Sequence, residues 1–249
     1  MCITSPEELA GLRRAGEVAA SVRETARAAV RPGITTRELD EIAAGAMSRL
    51  GARSAPKLVY GFPGAICISV NEEAVHGIPG PRVLRNGDLV KLDVTVELEG
   101  FYADTAVSVP VGPSQPELER LCAAGRSALT RAVSVATAGL PLCQLGRTIE
   151  DEVARHGCSV LPMLTGHGIG HTIHEAPTVP QHWDPMFEQP LRDGQVIAVE
   201  PIICLGGRGV CDLDDGWTVA TADGTVSAHF EHTMMVTQGR PVVLTNAPC

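Results

Sequence analysis

Along the N-terminal stretch, apolar Leu9, Leu12, Ala15, Val18, Ala19 and Val22 fall on one face of a 3.6-residue period, which predicts an amphipathic helix. Ser5-Pro6-Glu7-Glu8 precedes them. It combines an N-cap serine, a proline at the first helical position and a glutamate at the third, which is a helix-start signal. The helix should end near Arg31-Pro32-Gly33, and Thr35-x-x-Glu38 should open a second one closed by Gly51. The period then shortens, and AICISV (65–70), DLVKLDVTV (88–96) and FYADTAVSV (101–109) read as strands.

The order then restarts. Ser114-Gln115-Pro116-Glu117 opens a long helix to about Ala138, and a second helix runs from about Leu142 to His156, before Gly157. Strand-like QVIAVEPII (195–203), GWTVAT (216–221) and TVSAHFEHTMMVT (225–237) follow. Gly33 to Gly51 and Gly139 to Gly157 both span 18 residues, and the pairs Gly87/Gly194 and Asp93/Glu200 are both offset by 107. His76-Gly77-Ile78-Pro79 echoes His174-Glu175-Ala176-Pro177. We read two related α/β halves, about 5–111 and 112–240, joined in a single domain over 1–249 with pseudo-two-fold symmetry. A crevice between such halves is a natural place for a site.

Composition narrows the class. Of 249 residues 44% are apolar, enough for a proper core, and the net charge is −9. No basic patch of the kind that holds nucleic acid stands out. No apolar run reaches the roughly 18 residues of a membrane span, and MCITSPEELAGLRR lacks a secretory pattern. The expectation is a soluble, cytoplasmic monomer with no stable nucleic-acid or membrane partner. The eight cysteines, among them Cys2, Cys67 and Cys249, are scattered without a C-x-x-C, so neither a structural zinc site nor a disulfide framework is expected.

The chemistry lies in carboxylates placed in apolar strands. If the turn between DLVKLDVTV and FYADTAVSV centres on Leu98-Glu99, Asp93 and Asp104 stand directly opposite each other, with Cβ atoms about 4.5–5.5 Å apart. Like charges so placed repel unless a cation lies between them. Glu200 in VIAVEPII and Glu231 in SAHFEHTMMV also lack basic partners nearby, and a buried unpaired carboxylate is costly. TGHGIGHTIHEAP (165–177) adds His167, His171 and His174. Four carboxylates and one imidazole suit paired divalent ions such as Mn, Fe(II), Co or Zn. A pair about 3.5–4 Å apart can bridge one water, lower its pKa and clamp a carbonyl.

The stretches DVTVELEGFYADTA, GHGIGHTIHEAP, VEP and DGWTVATADGTVSAHFEHT, with VNEEAVHGIP upstream, resemble type I methionine aminopeptidases over nearly the whole chain. The resemblance implies the pita-bread fold, an α+β arrangement of two pseudo-two-fold related halves around a curved antiparallel sheet. It implies removal of the N-terminal methionine from nascent proteins with a small second residue, near the ribosome, by attack of a water held by two metal ions. It implies Asp93 on one metal, Asp104 and Glu231 bridging both, and His167 with Glu200 on the second. Glu200 would also shuttle the proton, and His174 and His76 would hold the scissile peptide group and the tetrahedral intermediate. Phe62, Cys67 and Trp217 would receive the substrate side chain. His171 falls outside the motif as a loop residue. His229 shares a face with Glu231 and is a candidate supporting contact, while His232 points to the opposite face. His156 ends a helix, and His182 sits in a loop.

The chain departs from the family around the pocket. Type I enzymes carry Tyr-His-Gly or Tyr-Arg-Gly before the Phe/Tyr-Pro pair, whereas this chain reads Val59-Tyr60-Gly61-Phe62-Pro63. The pocket tyrosine position is thus Val59, and Ile173 and Val75 replace an aromatic and a cysteine. Methionine selectivity, not the chemistry, is what these changes touch. The absence of an N-terminal zinc region and of a helical insert between Glu200 and Glu231 points to a bacterial-type catalytic domain. Two other readings are an X-Pro aminopeptidase or dipeptidase of the same fold, and a non-catalytic binding protein that has kept its ligands.

Overall fold

The helix Pro6–Ala29 begins at the signal in the sequence: Ser5 Oγ accepts the Glu8 N–H at 3.2 Å. The helix Thr36–Arg49 starts with both bonds of a capping box between Thr35 and Glu38. These two helices lie over a long hairpin, Leu89–Leu98 with Phe101–Pro110, and bury Ala15, Ala19, Val22, Leu39 and Met47 against Val90, Leu92, Val94 and Val96. The computed structural model describes residues 1–113 and 115–246; Ser114 and Cys249, named above, lie outside them.

The second pair of helices, Pro116–Val135 and Leu142–Arg155, covers the C-terminal strands through Leu121, Leu145 and Ile149 on Ile197, Val199, Ile203 and Met234. The first of them stops at Val135, short of the expected Ala138. The backbone N–H groups of Ala138 and Gly139 are taken by Thr237 O and Leu191 O, so the chain is drawn off the helical path. Every strand pairing among the described residues is antiparallel. No described helix is long and apolar enough to cross a membrane. Cys67, Cys122, Cys143, Cys158 and Cys204 are free and buried, and Cys2 and Cys211 are free and exposed.

Two features of the sequence reading need correction. First, the hairpin turn centres on Glu99-Gly100, not Leu98-Glu99, and Leu98 pairs with Phe101. Both turn residues have positive φ, 52° and 86°, as a two-residue type I′ turn demands, and glycine takes the second position without strain. Asp93 therefore faces Ala106 and Asp104 faces Thr95. The two aspartates still share a face, but as diagonal neighbours rather than opposite ones.

Second, the C-terminal strands are broken at the carboxylates. Val196–Val199 and Ile202–Cys204 flank Glu200-Pro201, and Ser227–His229 and His232–Met235 flank Phe230-Glu231. Proline has no N–H for the ladder, so the strand ends there. On either side of each break the chain belongs to a different sheet: Ile202–Cys204 pairs with Ser227–His229, and Val196–Val199 with His232–Met235. At the crossing the Glu231 N–H reaches Ala106 O on the N-terminal hairpin at 3.1 Å.

Hydroxyls close the seam between hairpin and C-terminal strands. Thr233 Oγ1 accepts the Asp104 N–H and donates to Asp104 O, both at 2.8 Å. Thr105 Oγ1 donates to Glu231 O and Ser108 Oγ donates to His229 O, each at 2.9 Å. The same contacts hold Asp104 beside Glu231.

Candidate active site

The breaks and the seam open onto one cavity of about 350 Å³. All ten residues singled out by the sequence line it: His76, Asp93, Asp104, His167, His174, Glu200, Glu231, Phe62, Cys67 and Trp217. They arrive on several pieces of scaffold. Asp93 and Asp104 come from the hairpin, and Cys67 is the cross-strand partner of Asp93 on Cys67–Val70. His167 sits in the short strand Gly166–Gly168, paired with Ala198. Its Nδ1 lies 2.9 Å from Gly168 O. A carbonyl can only accept, so Nδ1 carries the proton and Nε2 offers its lone pair to the cavity.

That Nε2 is 3.4 Å from Glu200 Oε1 and 3.9 Å from Asp104 Oδ2. One ligand atom each from Asp104, His167 and Glu231 lies within 4.8 Å of the other two. Asp93 Oδ1, Asp104 Oδ1 and Glu231 Oε1 are buried without a hydrogen-bond partner. No lysine or arginine lines the cavity. Lys91, which is buried two residues before Asp93, spends its ammonium elsewhere, on Asn71 O and on Ser227 O and Oγ at 2.6–3.2 Å.

The electrostatics follow. Burial, then the neighbouring carboxylates, push Asp93 and Glu231 well above the ordinary carboxylate range. Burial pushes Glu200 up to about 8, with Asp104 adding to the rise and His167 opposing it. Such a cluster binds either protons or cations. Orphaned carboxylate oxygens, an imidazole lone pair aimed at them and no resident basic group fit a divalent cation.

His229 is closer to this cluster than its sequence position alone shows. It is 2% exposed, with Nε2 3.5 Å from Glu200 Oε2 and 3.8 Å from Glu231 Oε2. Burial holds its pKa down to about 4, so a neutral ring backs the carboxylates. His232 points away, to Thr245 Oγ1, as strand alternation requires. His171 is exposed and lies 3.7 Å from Glu8.

His76 and His174 stand at the mouth. His76 has a φ of 58°, unusual for a side chain of its size. Gly77 after it packs so tightly on the strand Cys67–Val70 that a Cβ would lie 2.4 Å from Ile68 O, which wedges His76 in place. Burial, then His229, lower its pKa. The His174 ring meets the His167 ring edge-on, with centroids 4.2 Å apart. Burial, then His167, lower the His174 pKa to about 4, so it is neutral near pH 7.

The apolar wall differs from the sequence reading. Val75 and Ile173 line the cavity, but Val59 is 43% exposed and does not. The next residue, Tyr60, takes its place on the wall. Both sit at the end of the short helix Ala55–Tyr60, where successive side chains are about 100° apart, so one faces in and the other out. With Phe62 packed edge-on against Trp217 at 5.2 Å, the wall carries three aromatics. Only the helix rotation reveals Tyr60; the tyrosine position inferred from the motif pointed one residue earlier.

Residues 10–238 match metallopeptidase family M24. The chain is 42% identical over 247 residues to a methionine aminopeptidase of Staphylococcus epidermidis, covering 98% of each. It is 39% identical over 247 residues to methionine aminopeptidase 2 of Bacillus subtilis, covering 98% of this chain and 99% of that one. Its fold superposes on the crystal structure of a methionine aminopeptidase from Rickettsia prowazekii with a TM-score of 0.94 at 34% identity, over 99% of this chain and 100% of the other.

Proposed function

This chain belongs to metallopeptidase family M24, and on that footing we propose that it is a methionine aminopeptidase, removing N-terminal methionine from peptides and nascent proteins. Its fold is the pita-bread α+β arrangement, and its chemistry is that of a divalent-metal hydrolase. The observation that carries the reading is the orphaned carboxylate cluster beside His167, set at the foot of a cavity with an aromatic wall. Asp93, Asp104, His167, Glu200 and Glu231 would hold two ions, Co, Mn, Fe(II) or Zn. Four carboxylates balance two divalent charges, which supports two ions over one. A divalent ion there supplies Lewis acidity, acidifying a water and polarising the peptide carbonyl.

The chain's own residues do the rest. Phe62, Trp217, Tyr60 and Cys67 enclose an unbranched apolar side chain; the burial-raised thiol of Cys67 keeps it neutral and unreactive. Aromatic edges favour a thioether sulfur by about 0.3–1.5 kcal/mol each. His76, from the N-terminal half, and His174, from the C-terminal half, both line the cavity and grip the peptide group, and both are held neutral. Glu200 receives the proton lost by water and returns it to the leaving nitrogen. Domain 1–249 acts as one unit in this scheme, as a monomer in the cytoplasm.

Turnover on a small peptide panel tests the reading. Metal-free protein is reconstituted anaerobically with Mn²⁺, Co²⁺ or Fe²⁺ and given Met-Ala-Ser, Leu-Ala-Ser, Ala-Pro-Ala and N-acetyl-Met-Ala-Ser. Metal-dependent release of methionine from Met-Ala-Ser alone is expected. Cleavage of Leu-Ala-Ser or Ala-Pro-Ala in its place would reassign the substrate, and silence across the panel would defeat the enzyme reading.

A further inference from the structure

Two bonds fix the backbone of the loop that carries His174: Glu175 Oε1 accepts the N–H groups of His171 and Thr172 at 2.8 and 2.9 Å. The ring itself is fixed by something else. Tyr60 Oη lies 2.6 Å from His174 Nδ1, and the two rings stack with centroids 5.6 Å apart and planes 28° from parallel. The His174 ring also makes a T-shaped contact with the His167 ring, with centroids 4.2 Å apart. The imidazole thus has two ring neighbours, Tyr60 and His167, with Nδ1 bonded to Tyr60 in a side chain that lines the cavity.

The direction of that bond has a chemical answer. A phenol, with a pKa of about 10, is a far stronger acid than a neutral imidazole N–H, and an imidazole nitrogen is a far stronger base than a phenol oxygen. Tyr60 therefore donates and His174 Nδ1 accepts. Burial raises the Tyr60 pKa further, so the phenol keeps its proton near pH 7.

We propose that Tyr60 is a positioning residue that locks His174 in the Nε2–H tautomer, so that His174 meets the substrate only as a hydrogen-bond donor. A donor at that place suits a peptide carbonyl oxygen, whose negative charge grows as water adds to the carbon, and does not suit the scissile N–H. The inference rests on the aminopeptidase reading of this cavity and deepens it.

The test has a readout independent of turnover. In metal-free protein with ¹⁵N-labelled histidine, long-range ¹H–¹⁵N correlation at pH 7.5 separates protonated from bare ring nitrogens, with His174→Ala providing the assignment. In the wild type, His174 is expected to show a protonated Nε2 and a bare Nδ1 displaced by an accepted hydrogen bond. Tyr60→Phe keeps the stacking and the fold, since Tyr60 is 47% exposed. In it, Nδ1 should move to the position of an unbonded nitrogen and the two nitrogens begin to average. With Mn²⁺ restored, kcat on Met-Ala-Ser should fall about tenfold, the worth of one neutral hydrogen bond, with KM nearly unchanged. A wild-type proton on Nδ1, or nitrogen shifts indifferent to Tyr60→Phe, would overturn the proposal. So would a rise in KM with kcat intact, which would make Tyr60 a wall of the pocket and nothing more. A wild type with the expected tautomer but no turnover on any peptide would defeat the aminopeptidase reading and leave the Tyr60–His174 lock standing.

Discussion

Binding of a divalent cation to this protein should expel protons, and the number is legible in the cavity. Glu200 titrates at about 8 without a cation, against 4.5 for an ordinary glutamate. At pH 7 about nine-tenths of it is therefore protonated, and a cation cannot bind until that proton leaves. Burial, then the neighbouring carboxylates, raise Asp93 and Glu231 as well, and any proton either holds must also leave. His174 and His229, with pKa values of about 4, are already neutral and release nothing. The sign follows: a carboxyl with a raised folded pKa costs the metal-free fold stability as pH climbs from 4.5 to about 8, and the cation removes that cost. For the Glu200 proton alone, affinity should rise up to about tenfold per pH unit below pH 8 and level off above it. Between pH 6.5 and 7.5 a single proton adds about 1.4 kcal/mol to the stabilisation by saturating metal, or roughly 3–5 °C in Tm for a chain of this size. Calorimetric titration of the metal-free protein with Mn²⁺ at pH 7, in two buffers of different ionisation enthalpy, counts the protons directly. About one is expected from Glu200. An affinity that does not change between pH 6.5 and 7.5, with no buffer dependence of the heat, would refute the account of the carboxylate cluster.

Asp104→Asn or Glu231→Gln should each abolish both turnover and stoichiometric metal, measured by elemental analysis after dialysis; near-normal activity in either would remove the two-ion arrangement. Thr233→Val keeps the shape of the side chain but strands the buried Asp104 N–H, at a cost of about 1–3 kcal/mol in urea unfolding, with weaker Mn²⁺ binding because Asp104 is no longer held. Phe62→Leu removes the edge contact with Trp217, and should cost about 1 kcal/mol of stability and raise KM for Met-Ala-Ser several-fold while leaving kcat in place.

What the sequence makes legible here is what local chemistry decides. The capping box at Thr35 and Glu38 contains its own partners, so the helix start is readable from four residues. The face shared by Asp93 and Asp104 survives the error in register, because a shift of the turn by one residue moves the pairing by two positions. Side chains repeat every two residues along a strand, so both aspartates stay on the cavity side. The turn lies one residue beyond its predicted place because Glu99, a non-glycine, adopts a positive φ, which composition gives no reason to expect. Tyr60 lines the cavity where the motif predicts Val59, for a similar reason. The sequence places both on the same element, but only the rotation of that helix against its neighbours decides which one faces the cavity.

The break at Glu200 is marked locally by Pro201, but the one at Glu231 has no local signal, and together the two breaks make the site. A continuous strand would bury its glutamate against one sheet, where the charge has no partner. By switching sheets at that residue, each strand leaves its carboxylate at the junction, facing the hairpin that carries Asp93 and Asp104. Four carboxylates gathered there repel one another, and that repulsion acts across the seam between the hairpin and the C-terminal strands. Thr105, Ser108 and Thr233 oppose it with neutral hydroxyl bonds to backbone groups, which carry no charge to compete with a cation. A lysine or arginine in the cavity would have neutralised the cluster more strongly, but it would also have taken the place of the metal. The seam therefore holds the site together without satisfying it. Its unsatisfied carboxylate oxygens, once their protons leave, are what a divalent ion can bind at this point in the fold.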